Sequence, residues 1–133
     1  MTSVHPPGWP RPRGYANGTM ARGRVVCVAG QVGWNPTTER IETDDLAAQA
    51  GQALRNVIAV LGAAGATPAD VVRLTWYVTD GAEYIASRVR LGEAYRAAMG
   101  AHYPAMSVVV VAGLIEPRAK VEIEATAVVS DRA

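Results

Sequence analysis

YPAMSVVVVAGLIEPRAKVEIEATAVV, residues 103–129, reads as two strands joined by a short turn. The first strand spans about Met106 to Ile115. Glu116-Pro117-Arg118-Ala119 breaks the run, and the second strand covers Val121 to Val129. That second strand alternates with period two. Val121, Ile123, Ala125, Ala127 and Val129 point one way, and Glu122, Glu124, Thr126 and Val128 point the other. The first strand does not alternate: Val108, Val109, Val110 and Val111 are apolar on both sides, as in a strand covered on both faces.

Working back from this pair, Val71–Thr79 is a β-branched and aromatic strand with Val72, Leu74, Trp76 and Val78 on its core face. Two helical patterns flank it. Leu46, Ala50, Ala53, Leu54, Val57, Ile58 and Leu61 form one apolar stripe, capped by Thr43 or Asp44 and stopped by Gly62 or Gly65. A second helix is expected from Ala82 to Met99, with Ile85, Val89, Ala94, Tyr95 and Ala98 inward. Tyr15–Ala21 and Arg24–Ala29 read as a hairpin turning at Arg22-Gly23. Residues 1–14, with four prolines, read as a flexible Pro/Arg-rich arm ahead of a single domain over 15–133. The order ββ-α-β-α-ββ implies an α+β fold, a mostly antiparallel sheet with two helices on one face. Its uncovered face calls for a second subunit.

Composition sets the class. The 133 residues are half hydrophobic with a net charge of +1, as for one soluble globular domain. A lone Cys27 gives no intramolecular disulfide and reads as a small core residue. The start of the chain has no secretory apolar core and no run reaches membrane-spanning length, so a cytoplasmic location is expected, with no membrane partner. Arg11, Arg13, Arg22 and Arg24 precede the first acid, Glu39, and read as a solvated basic tail rather than a nucleic-acid footprint.

The chemistry-bearing candidates are few. Glu122 and Glu124 stand about 6.5–7 Å apart on one strand face. One of them can act as a general base or hold a water in a pocket. Spacing alone favours the plainer reading, a solvated face or an inter-subunit ion pair. His102 sits between a helix end and a strand, where capping is commoner than catalysis. Two histidines, His5 and His102, do not make a histidine-rich metal site.

Several segments occur in an order that resembles the reactive-intermediate deaminase (RidA, YjgF-like) family, also known as endoribonuclease L-PSP. They are Val28-Ala29-Gly30-Gln31-Val32, Gln49-x-x-Gln52-Ala53-Leu54-x-Asn56-Val57, Ala63-Ala64-Gly65-Ala66, Asp70–Thr75, Tyr77-Val78-Thr79-Asp80, Pro104-Ala105-x-Ser107 and Val121–Ala125. The resemblance covers residues 15 to 129. It implies a chorismate-mutase-like fold, a homotrimer, and pockets between subunits for a small-molecule ligand. It also implies hydrolysis of imines and enamines to 2-oxo acids and ammonia without metal or organic cofactor. Glu122 matches the glutamate that positions water. Tyr15, Ala29, Gly30, Trp34, Pro104, Ala105 and Met106 are the matching or neighbouring binding candidates.

The departures are specific. Met106 stands where the family has an arginine for the substrate carboxylate, Ala29 replaces a serine, and Val108 a cysteine or threonine. Residues 86–92 read as a short insertion, with Gly92 nearest the place of the family's helix asparagine. Arg88 or Arg90 is the candidate replacement for the missing cation. The expectation is a divergent hydrolase of deaminase type. A non-catalytic small-molecule-binding or stress-associated trimer is the alternative, and a ribonuclease ranks last.

Overall fold

The strand expected at Val121–Val129 forms over those residues, but it sits inside the sheet and not at its edge. The computed structural model describes residues 1–131. Its elements are β1 (Thr2–Val4), β2 (Gly18–Met20), β3 (Arg24–Val32), β4 (Trp34–Asn35), β5 (Arg40–Ile41), α1 (Leu46–Ala63), β6 (Val71–Val78), α2 (Gly81–Ala86), α3 (Arg88–Met99), β7 (Ala105–Val110) and β8 (Val121–Val129). Four strands make the main sheet in the order β3-β8-β6-β7. β8 runs antiparallel to both neighbours, and β7 runs parallel to β6.

β7 and β8 therefore do not pair with each other, although they are consecutive. β6 lies between them, and the connection after β7 crosses it. β7 is also shorter than the expected Met106–Ile115 run. Val111 N still donates to Val78 O, but β6 ends there, and beyond it Gly113 and Pro117 have no strand to pair with; Ile115 is fully exposed. The valine run is not covered on both faces within the chain. Val108, Val109 and Val110 are exposed on an edge strand.

The expected hairpin between Tyr15–Ala21 and Arg24–Ala29 does not form. β3 takes the longer partner, β8, in register from Arg24↔Val129. Gly23 makes the close approach that starts this pairing: a Cβ there would lie 2.0 Å from the Val129 carbonyl oxygen. β2 pairs instead with β1 in register Thr2↔Met20, and the Thr19 hydroxyl donates to Val72 O at the head of β6. The N-terminal arm thus doubles back on the domain.

One face of the sheet packs on the helices. α1 buries its whole predicted stripe except Ile58, which is partly buried, against Val28, Leu74, Trp76, Ile123, Ala125 and Ala127. Its N-cap is Asp45, one residue beyond Asp44 and two beyond Thr43, the two expected caps. The Asp45 carboxylate accepts from Ala48 N at 3.0 Å and binds Arg90 through both oxygens at 2.6 Å. The Arg90 bond holds the Asp45 carboxyl below its ordinary pKa and ties α3 to α1.

The expected helix over 82–99 is broken at Ser87, which ends α2 and opens α3. The break resets the inward face to Leu91, Tyr95 and Met99, each four residues apart. Ile85 and Val89, expected inward, are 60% and 75% exposed.

Two polar side chains sit on the buried side of α1. Gln49 donates from Nε2 to Thr43 O (2.8 Å) and Arg118 O (3.1 Å) and accepts from Lys120 N (2.8 Å). Asn56 donates to Val32 O (3.1 Å) and Trp34 O (2.9 Å) and accepts from Gln52 (2.9 Å). Gln49 thereby fixes the entry to β8, and Asn56 the exit from β3. Removing the fully buried Gln49 amide leaves backbone groups unsatisfied, so Gln49→Ala is expected to lower stability by about 1–3 kcal/mol. The urea midpoint should fall with an unchanged slope; an unchanged midpoint would mean the clamp contributes nothing.

Candidate functional site

The second face of the sheet carries no helix, and the candidate carboxylates lie there. β8 puts Ile123, Ala125 and Ala127 into the core, which forces Glu122, Glu124 and Thr126 onto the open face. β6 contributes Arg73, Thr75 and Tyr77 beside them, in register Thr75↔Glu124 and Tyr77↔Glu122. Cys27 of β3, paired with Thr126, is also on this face and exposed, not in the core. The alternation of β3 sends Val26 and Val28 toward the helices and Cys27 away from them.

The two glutamates differ in their surroundings. The Tyr77 hydroxyl donates to Glu124 Oε1 at 2.6 Å, and that bond, followed by burial, raises the Tyr77 pKa. Glu124 also borders a recess of about 250 Å³ with Cys27, Arg73, Thr75 and Thr126. Among the described residues no ion pair or side-chain hydrogen bond involves Glu122.

Glu122 is positioned by sterics. Val28 pairs with Ala125 and Gln31 with Ile123, so Ala29 and Gly30 together oppose Glu124 in a β-bulge. The bulge brings Gly30 against Glu122: a Cβ on Gly30 would lie 2.3 Å from Oε2 and 2.7 Å from Cδ. Only glycine leaves room for the carboxylate at this spot.

The other candidates lie elsewhere. Met106 pairs with Leu74 and packs on the core from the helix side, away from the face bearing Glu122. Tyr15 is exposed, and its neighbour Ala16 donates to Pro104 O at 2.9 Å and bridges to Ala105. Tyr15, Pro104, Ala105 and Met106 thus gather at the β7 end of the sheet. Ala29, Gly30 and Glu122 gather at the β3 end, with Trp34 in the adjoining β4, half-buried and opposite Ile41. β3 and β7 are three strand spacings apart, about 14 Å. Arg90 is engaged by Asp45, whereas Arg88 joins no ion pair among the described residues.

His102 donates from Nε2 to Val71 O at 2.7 Å, and its own carbonyl accepts from the Tyr95 hydroxyl. Burial raises the Tyr95 pKa, and its ring stacks on Tyr103 with centroids 5.4 Å apart. These contacts give His102 a structural role. Among the described residues no cluster of three or more His, Cys, Asp or Glu side chains could hold a metal ion. No described helix is long and apolar enough to cross a membrane.

The family model described as Endoribonuclease L-PSP matches residues 10–129. The chain belongs to this family, the RidA (YjgF) family. It is 39% identical over 106 residues, 80% of each chain, to the 2-iminobutanoate/2-iminopropanoate deaminase of Escherichia coli K12. The crystal structure of a Rid-family protein, YyfB from Yersinia pestis, superimposes with a TM-score of 0.80 at 38% identity, covering 96% of this chain and 98% of that one. A YjgF/YER057c/UK114 family member from Mycobacterium tuberculosis gives a TM-score of 0.65 at 43% identity, covering 87% of each chain.

Sequence reading missed Tyr77 as the partner of Glu124 and Asn56 as the clamp on the β3 exit. Asn56 and Gln49 were visible as polar residues lying within an apolar helical stripe. The crowding at Gly30 carries a direct consequence. Gly30→Ala is expected to leave the protein folded, because the clashing atoms are the end of a flexible side chain, and to push the Glu122 carboxylate out of place. A crystal structure of the variant with Glu122 unmoved would contradict this.

Proposed function

We propose that this RidA-family chain is a cytoplasmic, cofactor-independent hydrolase of the deaminase type. Its substrate is a small imine, enamine or related metabolite, held in a pocket between subunits of a homotrimer. The observation that carries the reading is Glu122, a carboxylate without a protein partner among the described residues, set against the bulge glycine. The similarity to a named 2-iminobutanoate/2-iminopropanoate deaminase supports the reaction class.

The split of the candidate residues supports the assembly. Gly30 on β3 is three strand spacings, about 14 Å, from Met106 on β7 of the same chain, and Glu122 on β8 is two spacings, about 10 Å, away and on the opposite face of the sheet from Met106. An arrangement that sets the β7 edge of one copy beside the β3 edge of the next joins both halves and repeats into a closed ring. Val25 on β3 and Val108–Val110 on β7 are exposed apolar residues on the two edges that such contacts would cover.

In the reaction, Glu122 takes a proton from water as the water oxygen attacks the imine carbon. The C=N π pair moves to nitrogen, which takes up the proton held by Glu122 to give a neutral carbinolamine, with backbone amides polarising the electrophile. Glu122 then passes the hydroxyl proton of the carbinolamine to its amine, and ammonia leaves as the C–N bond breaks and the C=O bond forms. Met106 restricts the substrate. A charge-assisted bond to a carboxylate contributes about 1.5–3 kcal/mol, so its loss costs about ten- to a hundredfold in turnover of a 2-imino acid. That substitution also favours the second reading, a trimer that binds a small molecule without turning it over. The ribonuclease reading gains nothing from the histidines, since His102 Nε2 and both ring nitrogens of His5 are engaged within the chain.

Generating 2-iminopropionate with an amino-acid oxidase and following its decay tests the proposal. Low turnover is expected from the native protein, a gain of about tenfold or more from Met106→Arg, and loss of that gain when Glu122→Gln is added. Turnover indifferent to Glu122→Gln would remove Glu122 from the reaction. No turnover in either protein would favour the binding reading.

A further inference from the structure

The N-terminal arm borders a recess that is open to solvent on one side. Gly8 (φ +83°) and Gly14 (φ +77°) adopt left-handed conformations that reverse the chain, and the pairing of β1 with β2 closes the loop. Within it His5 donates from Nε2 to Trp9 O at 3.0 Å, and its Nδ1 accepts from Asn17 at 3.4 Å. The Ala16–Pro104 bond anchors the far end. Between this strap and Ala101-His102-Tyr103 lies a cavity of about 520 Å³, within the range of small-molecule sites.

The chemistry of its wall is one-sided. Arg11 lines the cavity, and no Asp or Glu does. Among the described residues Arg11 takes part in no ion pair or side-chain hydrogen bond, so its five donors are available. The histidines of the wall use their Nε2 protons on backbone carbonyls and serve to hold the strap and the α3–β7 connection in place. Pro12, Tyr15, Tyr103 and Val4 supply flat and apolar surface beside the guanidinium.

We propose that this cavity binds a small organic anion, with Arg11 gripping a carboxylate or phosphate head and the Tyr15 and Tyr103 side accepting a flat or apolar body. A guanidinium fork matches either head group in a bidentate fashion. The site shares Tyr15 with the proposed inter-subunit pocket but includes neither Glu122 nor Met106, so it does not rest on hydrolysis at Glu122 and its binding can be measured without turnover.

Titration of the ¹⁵N-labelled full chain with benzoate, benzamide and phenyl phosphate, followed at the amides of Tyr15, His102 and Tyr103, tests it. Saturable shifts are expected with benzoate or phenyl phosphate, the stronger of the two identifying the preferred head group. Benzamide, the neutral analogue, should bind about tenfold more weakly or worse. Arg11→Gln should weaken anion binding by a similar factor, Arg11→Lys should retain much of it, and Arg13→Gln, outside the lining, should leave it unchanged. Equal affinity for benzamide and benzoate, unchanged binding in Arg11→Gln, or no saturable shift at all would overturn the proposal.

Discussion

β8 has two faces of opposite chemistry, and the rest of the structure depends on how each is treated. Val121, Ile123, Ala125 and Ala127 are at most 4% exposed beneath α1. Their burial leaves no freedom in where Glu122 and Glu124 point, because a shift of one residue in register would drive both carboxylates into the core. Desolvating an unpaired carboxylate costs far more than the sheet can recover elsewhere. The hydrophobic pattern therefore fixes the register, and the register places the carboxylates on the uncovered face.

Around that constraint the protein separates support from chemistry. Gln49 and Asn56, buried in α1, hold the entry to β8 and the exit from β3 by their side-chain amides. The β3 bulge then presents Gly30 to Glu122, while Tyr77 occupies Glu124. Of two glutamates that look equivalent along the strand, one is engaged by a phenol and the other has no partner among the described residues. That difference underlies the proposal that Glu122, and not Glu124, handles the water.

Local periodicity made β8, β6 and α1 legible, since each buries one face continuously and its apolar residues recur at the period of the element. Pairing was less legible. The nearness of Tyr15–Ala21 to Arg24–Ala29 suggested a hairpin, but the nine-residue β3 gains a far longer ladder on β8. The valine run looked doubly covered because its apolar content reflects an edge strand, not a central one. The break at Ser87 had no proline or glycine to announce it, so Ile85 and Val89 were assigned inward. At the site, the family resemblance named Glu122 and Gly30, but the reason they belong together, a missing Cβ at a bulge, appears only in three dimensions. Met106 was read as a pocket residue, and the structure adds that it packs on the core side of β7.

The proposed site joins the β3–β8 side of one copy to the β7 edge of another, because within one chain β3 and β7 are about 14 Å apart and Glu122 on β8 faces away from Met106. The mass of the protein in solution, measured by sedimentation equilibrium at micromolar concentration, tests this most directly. Three times the chain mass is the predicted result. A protein that remains monomeric across the concentration range would contradict the shared pocket and, with it, the assignment of Tyr15, Met106, Gly30 and Glu122 to one site.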